Sequence, residues 1–200
     1  PHVTPRLTSL HTQVMVEDLY RPYRPKRRTR ATIAKEKGLE GLANIILLQM
    51  TDRSLEDEAK EYLSEEKGVS TTQDAIQGAM DIIAESVADE ADYRIYIRKL
   101  TMEEGVLVSL AKDEKEKSVY ENYYEFEEAV KKITGYRILA INRGEKEKFL
   151  TVKIQAPEER IQRYLEKKVI TRENPNTTEC LKETLADSYK RLIAPSIERE

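Results

Sequence analysis

Apolar residues recur at helical spacing through most of this chain of 200 residues, and the spacing predicts a mainly α fold, a multi-helix bundle with little β structure. Thr29 or Thr32 is placed to cap a first helix running through Ile33, Ala34 and Lys37, and Gly38 stands where a left-handed residue would end it. Leu42, Ile45, Ile46 and the Gln49–Met50 positions give the next helix an apolar face. Thr32 to Met50 therefore reads as a helix-turn-helix-like pair. Ser54 opens an expected helix to Lys67, and Ser70 with Gln73 forms a capping box for a long helical segment. That segment carries Ala75, Ile76, Ala79, Ile82, Ile83 and Val87, is expected to break near Asp89, and ends near Gly105.

Beyond Gly105 the pattern changes. Val106 to Leu110 is β-prone, Lys112 to Lys117 is a charged turn, and Tyr120 to Ile133 reads as helix. Arg137–Asn142 and Lys148–Ile154, joined by residues 143–147, are expected to pair as a small antiparallel β-hairpin. Glu158 to Lys168 and Thr178 to Glu200 complete the helices, with Pro157 suited to a helix start and Pro195 to a kink. The expected organisation is a basic extended segment plus the helical pair over 1–53, a helical bundle over 54–134, and a hairpin with exit helices over 135–200.

Charge singles out one stretch. Tyr20 to Lys37 holds eight cations, Arg21, Arg24, Lys26, Arg27, Arg28, Arg30, Lys35 and Lys37, against Glu36 alone, a local net charge of +7. The whole chain carries −3, so the remainder sums to −10. Such a block suits a polyanion, because each neutralised phosphate releases condensed counterions. Arg21, Arg24, Lys26, Arg27, Arg28, Arg30 and Lys35 are the candidate nucleic-acid contacts, and Tyr20 and Tyr23 are candidate stacking platforms for bases. The prolines after Arg21 and Arg24 predict an extended start to the segment. The same arginines also suit an internal clamp on the acidic helices, Glu56 to Glu66 among them, and the sequence does not separate the two uses. Tyr120, Tyr123 and Tyr124 fit core or interface anchors better than base platforms.

Other chemistry finds little support. His2 and His11 have no Cys or His neighbour at zinc-ligand spacing, so no metal and no cofactor is expected. A nucleophilic site on Cys180 would need a histidine from the far end of the chain, and no glycine-rich phosphate loop is present. The chain is expected not to be an enzyme. One cysteine precludes an internal disulfide and suits a reducing cytoplasm. The longest apolar run, Ile45 to Leu48, falls far short of the roughly 20 residues of a membrane span. A proline at position 1 and the lack of a helix stop before Glu200 suggest a piece of a longer protein.

The stretch Glu17 to Glu40, with Pro22, Tyr23, Pro25, Lys26, Arg27, Arg28, Thr29 and Arg30 at its core, resembles the signature of the bacterial Tex transcription accessory proteins. Tyr136 to Glu145 resembles a strand and turn of that family, and Asp187 to Glu200 resembles its exit helix. The resemblance implies a non-catalytic, helical N-terminal portion of a large modular protein that associates with transcription. In that family a nuclease-like module, helix-hairpin-helix elements and a C-terminal OB-fold domain follow. The resemblance thus implies weak binding of RNA or DNA by this portion alone. The competing expectation is a protein-interaction scaffold in which the acidic helices and the tyrosine face contact RNA polymerase or another module.

Overall fold

The computed structural model describes residues 13–24 and 27–200; His2 and His11, and Pro25 and Lys26 of the basic window, lie outside the described residues. Their order along the chain is α1 (13–20), a 3-10 turn at Arg21–Tyr23, α2 (Arg30–Glu36), α3 (Glu40–Leu48), α4 (Leu55–Ala59) and α5 (Thr72–Asp89). There follow α6 (Ala91–Glu104), β1 (Val106–Ala111), β2 (Glu125–Ala129), α7 (Gly135–Lys146), β3 (Leu150–Gln155), α8 (Glu158–Val169), α9 (Thr178–Asp187) and α10 (Ala194–Arg199). The mainly α class expected from periodicity holds, with one small antiparallel sheet. Two compact units are distinguished: Pro1–Ile95 with Gln162–Arg199, and Tyr96–Ile161 with Glu200.

In the first unit, α5 is the element on which α2, α3, α4 and α9 pack. Its inward positions Ala75, Ala79 and Ile83 are fully buried, as are Leu42 and Ile46 of α3 and Leu181 and Leu185 of α9. The α2–α3 pair forms as its caps dictate. Thr29 is the N-cap: its Oγ1 accepts from the Thr32 amide at 3.1 Å, while the Thr29 amide donates to the Thr32 hydroxyl at 2.7 Å. Gly38 at φ +78° makes the turn, a conformation closed to most side chains. Two local expectations shift. The helix from Ser54 stops at Ala59, passing through a 3-10 turn into an antiparallel bridge between Ser64 and Val69. Thr71, whose hydroxyl accepts from the Asp74 amide at 3.0 Å, replaces Ser70 as the cap of α5.

The break near Asp89 occurs where expected, at Glu90 in extended conformation between α5 and α6. Gln49 ends α3 in the left-handed region and is buried, its amide donating to the Val169 carbonyl at 2.9 Å while Asn174 donates back to the Gln49 carbonyl at 3.1 Å. Near the C-terminus a π-helical turn, Ser188–Ile193, precedes Pro195, which has no N–H to continue a regular ladder.

The second unit corrects the sequence reading twice. Residues 137–142, expected as a strand of a hairpin, lie in α7. The inward residues of α7 are Ile141 and Gly144, both buried, whereas Leu139 is 71% exposed; the run follows period 3.6, and short apolar runs are ambiguous between the two periods. Gly144 is needed for close approach, since a Cβ there would come within 2.5 Å of Leu150 Cδ1. Residues 120–133, expected as helix, supply the 3-10 turn Glu121–Tyr123 and the edge strand β2. The three strands are antiparallel in the order β2-β1-β3, with Leu107 opposite both Glu128 and Ile154. β3 therefore pairs with β1 and not with residues 137–142. Leu107, Tyr120, Ile141 and Leu150 form this unit's core, with Tyr123, Tyr124 and Phe126 packed against it.

Candidate nucleic-acid interface

The basic segment is held at its start by a buried ion pair. Asp18 of α1 is 2% exposed, and its Oδ1 accepts from Nε of Arg94 at 3.0 Å. Arg94, fully buried, also donates to the Ala88 carbonyl at 3.2 Å and to Ser196 Oγ at 2.8 Å. A guanidinium with carboxylate, carbonyl and hydroxyl partners is compensated for its lost hydration. Arg21 adds a second tie, Nε to Asp89 Oδ1 at 3.3 Å. The arginine in its 3-10 turn corrects the expectation of an extended start. Pro22 falls in the first positions of that turn, where a missing N–H costs nothing. Arg24, at φ −71° and ψ 133°, does adopt the polyproline-like conformation that a following proline favours.

Past the 3-10 turn, Arg24, Arg27, Arg28, Arg30 and Lys35 face solvent, while Lys37 is half-buried. The side chains of Arg24, Arg27, Arg30 and Lys35 are exposed and make no hydrogen bond or ion pair with any described residue. Arg28 pairs with Glu36 at 3.3 Å, but both side chains remain more than half exposed, so the contact is weakly held. Tyr20 and Tyr23 are 67% and 84% exposed. The clamp on the acidic helices runs through other residues: Arg53 reaches Glu58, Glu61 and the Asp57 carbonyl, and Lys60 pairs with Asp57 at 3.0 Å. The hydrogen bond to Lys60 holds the Asp57 carboxyl below its ordinary range. Of the seven candidate cations, then, Arg21 is structurally tied to a buried carboxylate, Lys26 lies outside the described residues, Arg28 is loosely paired, and four have unpaired side chains among the described residues.

Arg94 was not singled out by sequence reasoning, although its spacing from Ala91 and Ile97 on α6 sets it on a buried face. Of the three tyrosines expected as core or interface anchors, Tyr120 is only 4% exposed, its hydroxyl donating to Glu147 at 2.8 Å, and Tyr123 and Tyr124 pack half-buried against the same core. Burial first, then that bond, raises the Tyr120 hydroxyl above its ordinary value. Burial likewise pushes the Cys180 thiol up, which disfavours the thiolate. Among the described residues no helix is long and apolar enough to cross a membrane, and no three His, Cys, Asp or Glu side chains gather to hold a metal ion.

Residues 51–200 match the family described as Tex central region-like. The chain is 52% identical to the uncharacterized protein YdcI of Bacillus subtilis over 92% of its own length and 26% of that protein. It is 35% identical to Protein tex of Bordetella pertussis over 77% of this chain and 20% of that protein. The human S1 RNA-binding domain-containing protein 1 is 32% identical over 92% of this chain and 20% of its own length. The chain thus spans about a quarter or less of these curated relatives, and the basic window precedes the residues matched to the central region.

Proposed function

This chain belongs to the Tex family, and from that membership we propose that it is a non-catalytic helical module that supports nucleic-acid binding in transcription through its basic segment. The observation that carries the reading is the unpaired, solvent-facing set Arg24, Arg27, Arg30 and Lys35 beside the exposed rings of Tyr20 and Tyr23. Cations with no carboxylate to release are free to neutralise phosphates, and adjacent rings offer bases a stacking surface. Asp18 and Arg21 tie down α1 and the 3-10 turn, and the Thr29 cap fixes the start of α2, so Arg24 and Arg30 each stand next to a held element. The human relative's name, S1 RNA-binding domain-containing protein 1, favours RNA as the first ligand to try. The cytoplasm is the compartment this role implies.

The test is fluorescence anisotropy with labelled single- and double-stranded RNA and DNA, comparing the chain with an Arg27→Glu/Arg28→Glu variant whose fold is checked by circular dichroism. The reading expects salt-sensitive binding that the folded variant loses by tenfold or more. Absence of binding by the folded wild type at low salt would instead favour a scaffold for RNA polymerase or another protein.

A further inference from the structure

A second cationic surface lies in the other compact unit. Between residues 131 and 148 stand Lys131, Lys132, Arg137, Arg143, Lys146 and Lys148 against Glu145 and Glu147, a net charge of +4. All of these cations except Arg137 are exposed and make no ion pair with any described residue. Glu147 is already engaged as the acceptor for the Tyr120 hydroxyl. The remaining geometry comes from α7. Because Ile141 and Gly144 face inward, Tyr136, Leu139, Arg143 and Lys146 recur at i, i+3, i+7 and i+10 and form one outward stripe.

Tyr136 is 66% exposed, yet its ring is not free to wander. The Arg137 guanidinium carbon sits 5.9 Å from the Tyr136 ring centre and 5.7 Å from that of Phe126, and Nη1 donates to Glu128 Oε2 at 2.9 Å. A cation between two rings, fixed by a carboxylate on β2, buttresses Tyr136 from the protein side and leaves the ring open to solvent. An ordered, exposed aromatic ring flanked by unpaired cations has the make-up of a base-stacking platform along a phosphate track. The apolar part of the stripe, Tyr136 and Leu139 with the partly exposed Ile138, is small beside its charge, which favours a polyanion over a protein groove-binder.

We propose that the outer stripe of α7 is a second contact for single-stranded nucleic acid, in which a base stacks on Tyr136 while Arg143, Lys146 and Lys132 take phosphates. The proposal extends the reading of the chain as a nucleic-acid-binding module to a surface separate from the basic segment.

The test measures anisotropy of a labelled single-stranded RNA dodecamer and of a duplex of the same length with five forms of the whole chain, each checked for folding. These are the wild type, Arg27→Glu/Arg30→Glu, Arg143→Glu/Lys146→Glu, and Tyr136→Ala with Tyr136→Phe as its control. The expected result is a loss of tenfold or more in single-strand affinity for Arg143→Glu/Lys146→Glu. Tyr136→Ala should lose roughly tenfold on the single strand and little on the duplex, and Tyr136→Phe should bind as wild type. If the α7 variants bind as wild type while Arg27→Glu/Arg30→Glu is impaired, the proposal is overturned and the basic segment stands. If only the α7 variants are impaired, the stripe is the interface and the reading of the basic segment fails. Equal loss on single strand and duplex for Tyr136→Ala overturns the stacking role.

Discussion

Arg94 and Arg27 are the same side chain in opposite circumstances. The first is wholly buried, with a carboxylate, a carbonyl and a hydroxyl around it; the second is exposed, and its side chain forms no hydrogen bond or ion pair with any described residue. The contrast divides the segment from residue 13 to residue 36 into an anchored part, through Asp18 and Arg21, and a displayed part from Arg24 onward. A guanidinium withdrawn from water serves the fold because its removal orphans a carboxylate, whereas a solvated guanidinium contributes little to the fold and keeps its hydrogen-bonding capacity for a ligand.

The sharpest way to break that contrast is Arg94→Ala, which removes the guanidinium bound to the buried Asp18 carboxylate. The expected cost is about 3–5 kcal/mol, read as a lower urea midpoint in chemical denaturation. An Arg94→Ala protein as stable as Arg27→Ala would mean that burial is not what distinguishes the two sites. Thr29→Ala comes next. Losing the reciprocal cap should cost about 1 kcal/mol, and loosening the start of α2 should weaken nucleic-acid binding only slightly, through Arg30 and Lys35. Arg21→Ala should cost less, under about 1 kcal/mol, because its side chain is 36% exposed even though Asp89 is nearly covered. Arg27→Ala/Arg30→Ala should leave stability within about 0.5 kcal/mol of wild type in the same denaturation experiment.

A smaller effect concerns pH. The Tyr120 hydroxyl is raised above its ordinary value of 10.0, so the folded state favours the protonated phenol. Its contribution is fully present below pH 10 and fades as pH rises past that point toward the raised value. Tyr120→Phe should therefore flatten part of the decline in melting temperature between pH 9 and 11. An unchanged decline would locate the alkaline sensitivity in Tyr62 or Tyr93, whose hydroxyls burial also raises.

Much of the displayed region was legible from residue type and spacing. The sequence did not decide between display and an internal clamp for the basic run, but the cap at Thr29, the turn at Gly38 and the charge of the run are local features whose determinants lie within a few residues. The anchored part was not, because Asp18 and Arg94 lie 76 residues apart and a lone arginine in a charged helix looks solvated until its neighbours are placed. The same limit explains α7 and β2. Residues 137–142 suit either period on their own. They become helical in a context where Ile141 and Gly144 meet the Leu150 side of the sheet and β1 takes Glu125–Ala129 as its second partner. The helix at 13–20 follows a different rule: its only buried position is the charged Asp18, and its apolar residues Met15, Val16 and Leu19 are exposed.

The central claim is that the displayed cations, and not the anchored ones, meet phosphate. Its most direct test is the salt dependence of single-stranded RNA affinity for wild type and for a folded Arg24→Ala/Arg27→Ala/Arg30→Ala/Lys35→Ala variant. Four lost phosphate contacts predict a slope of log affinity against log salt shallower by about three, at about 0.7 per contact on a single strand. A slope equal to that of the wild type would contradict the account and assign the basic segment to some other partner.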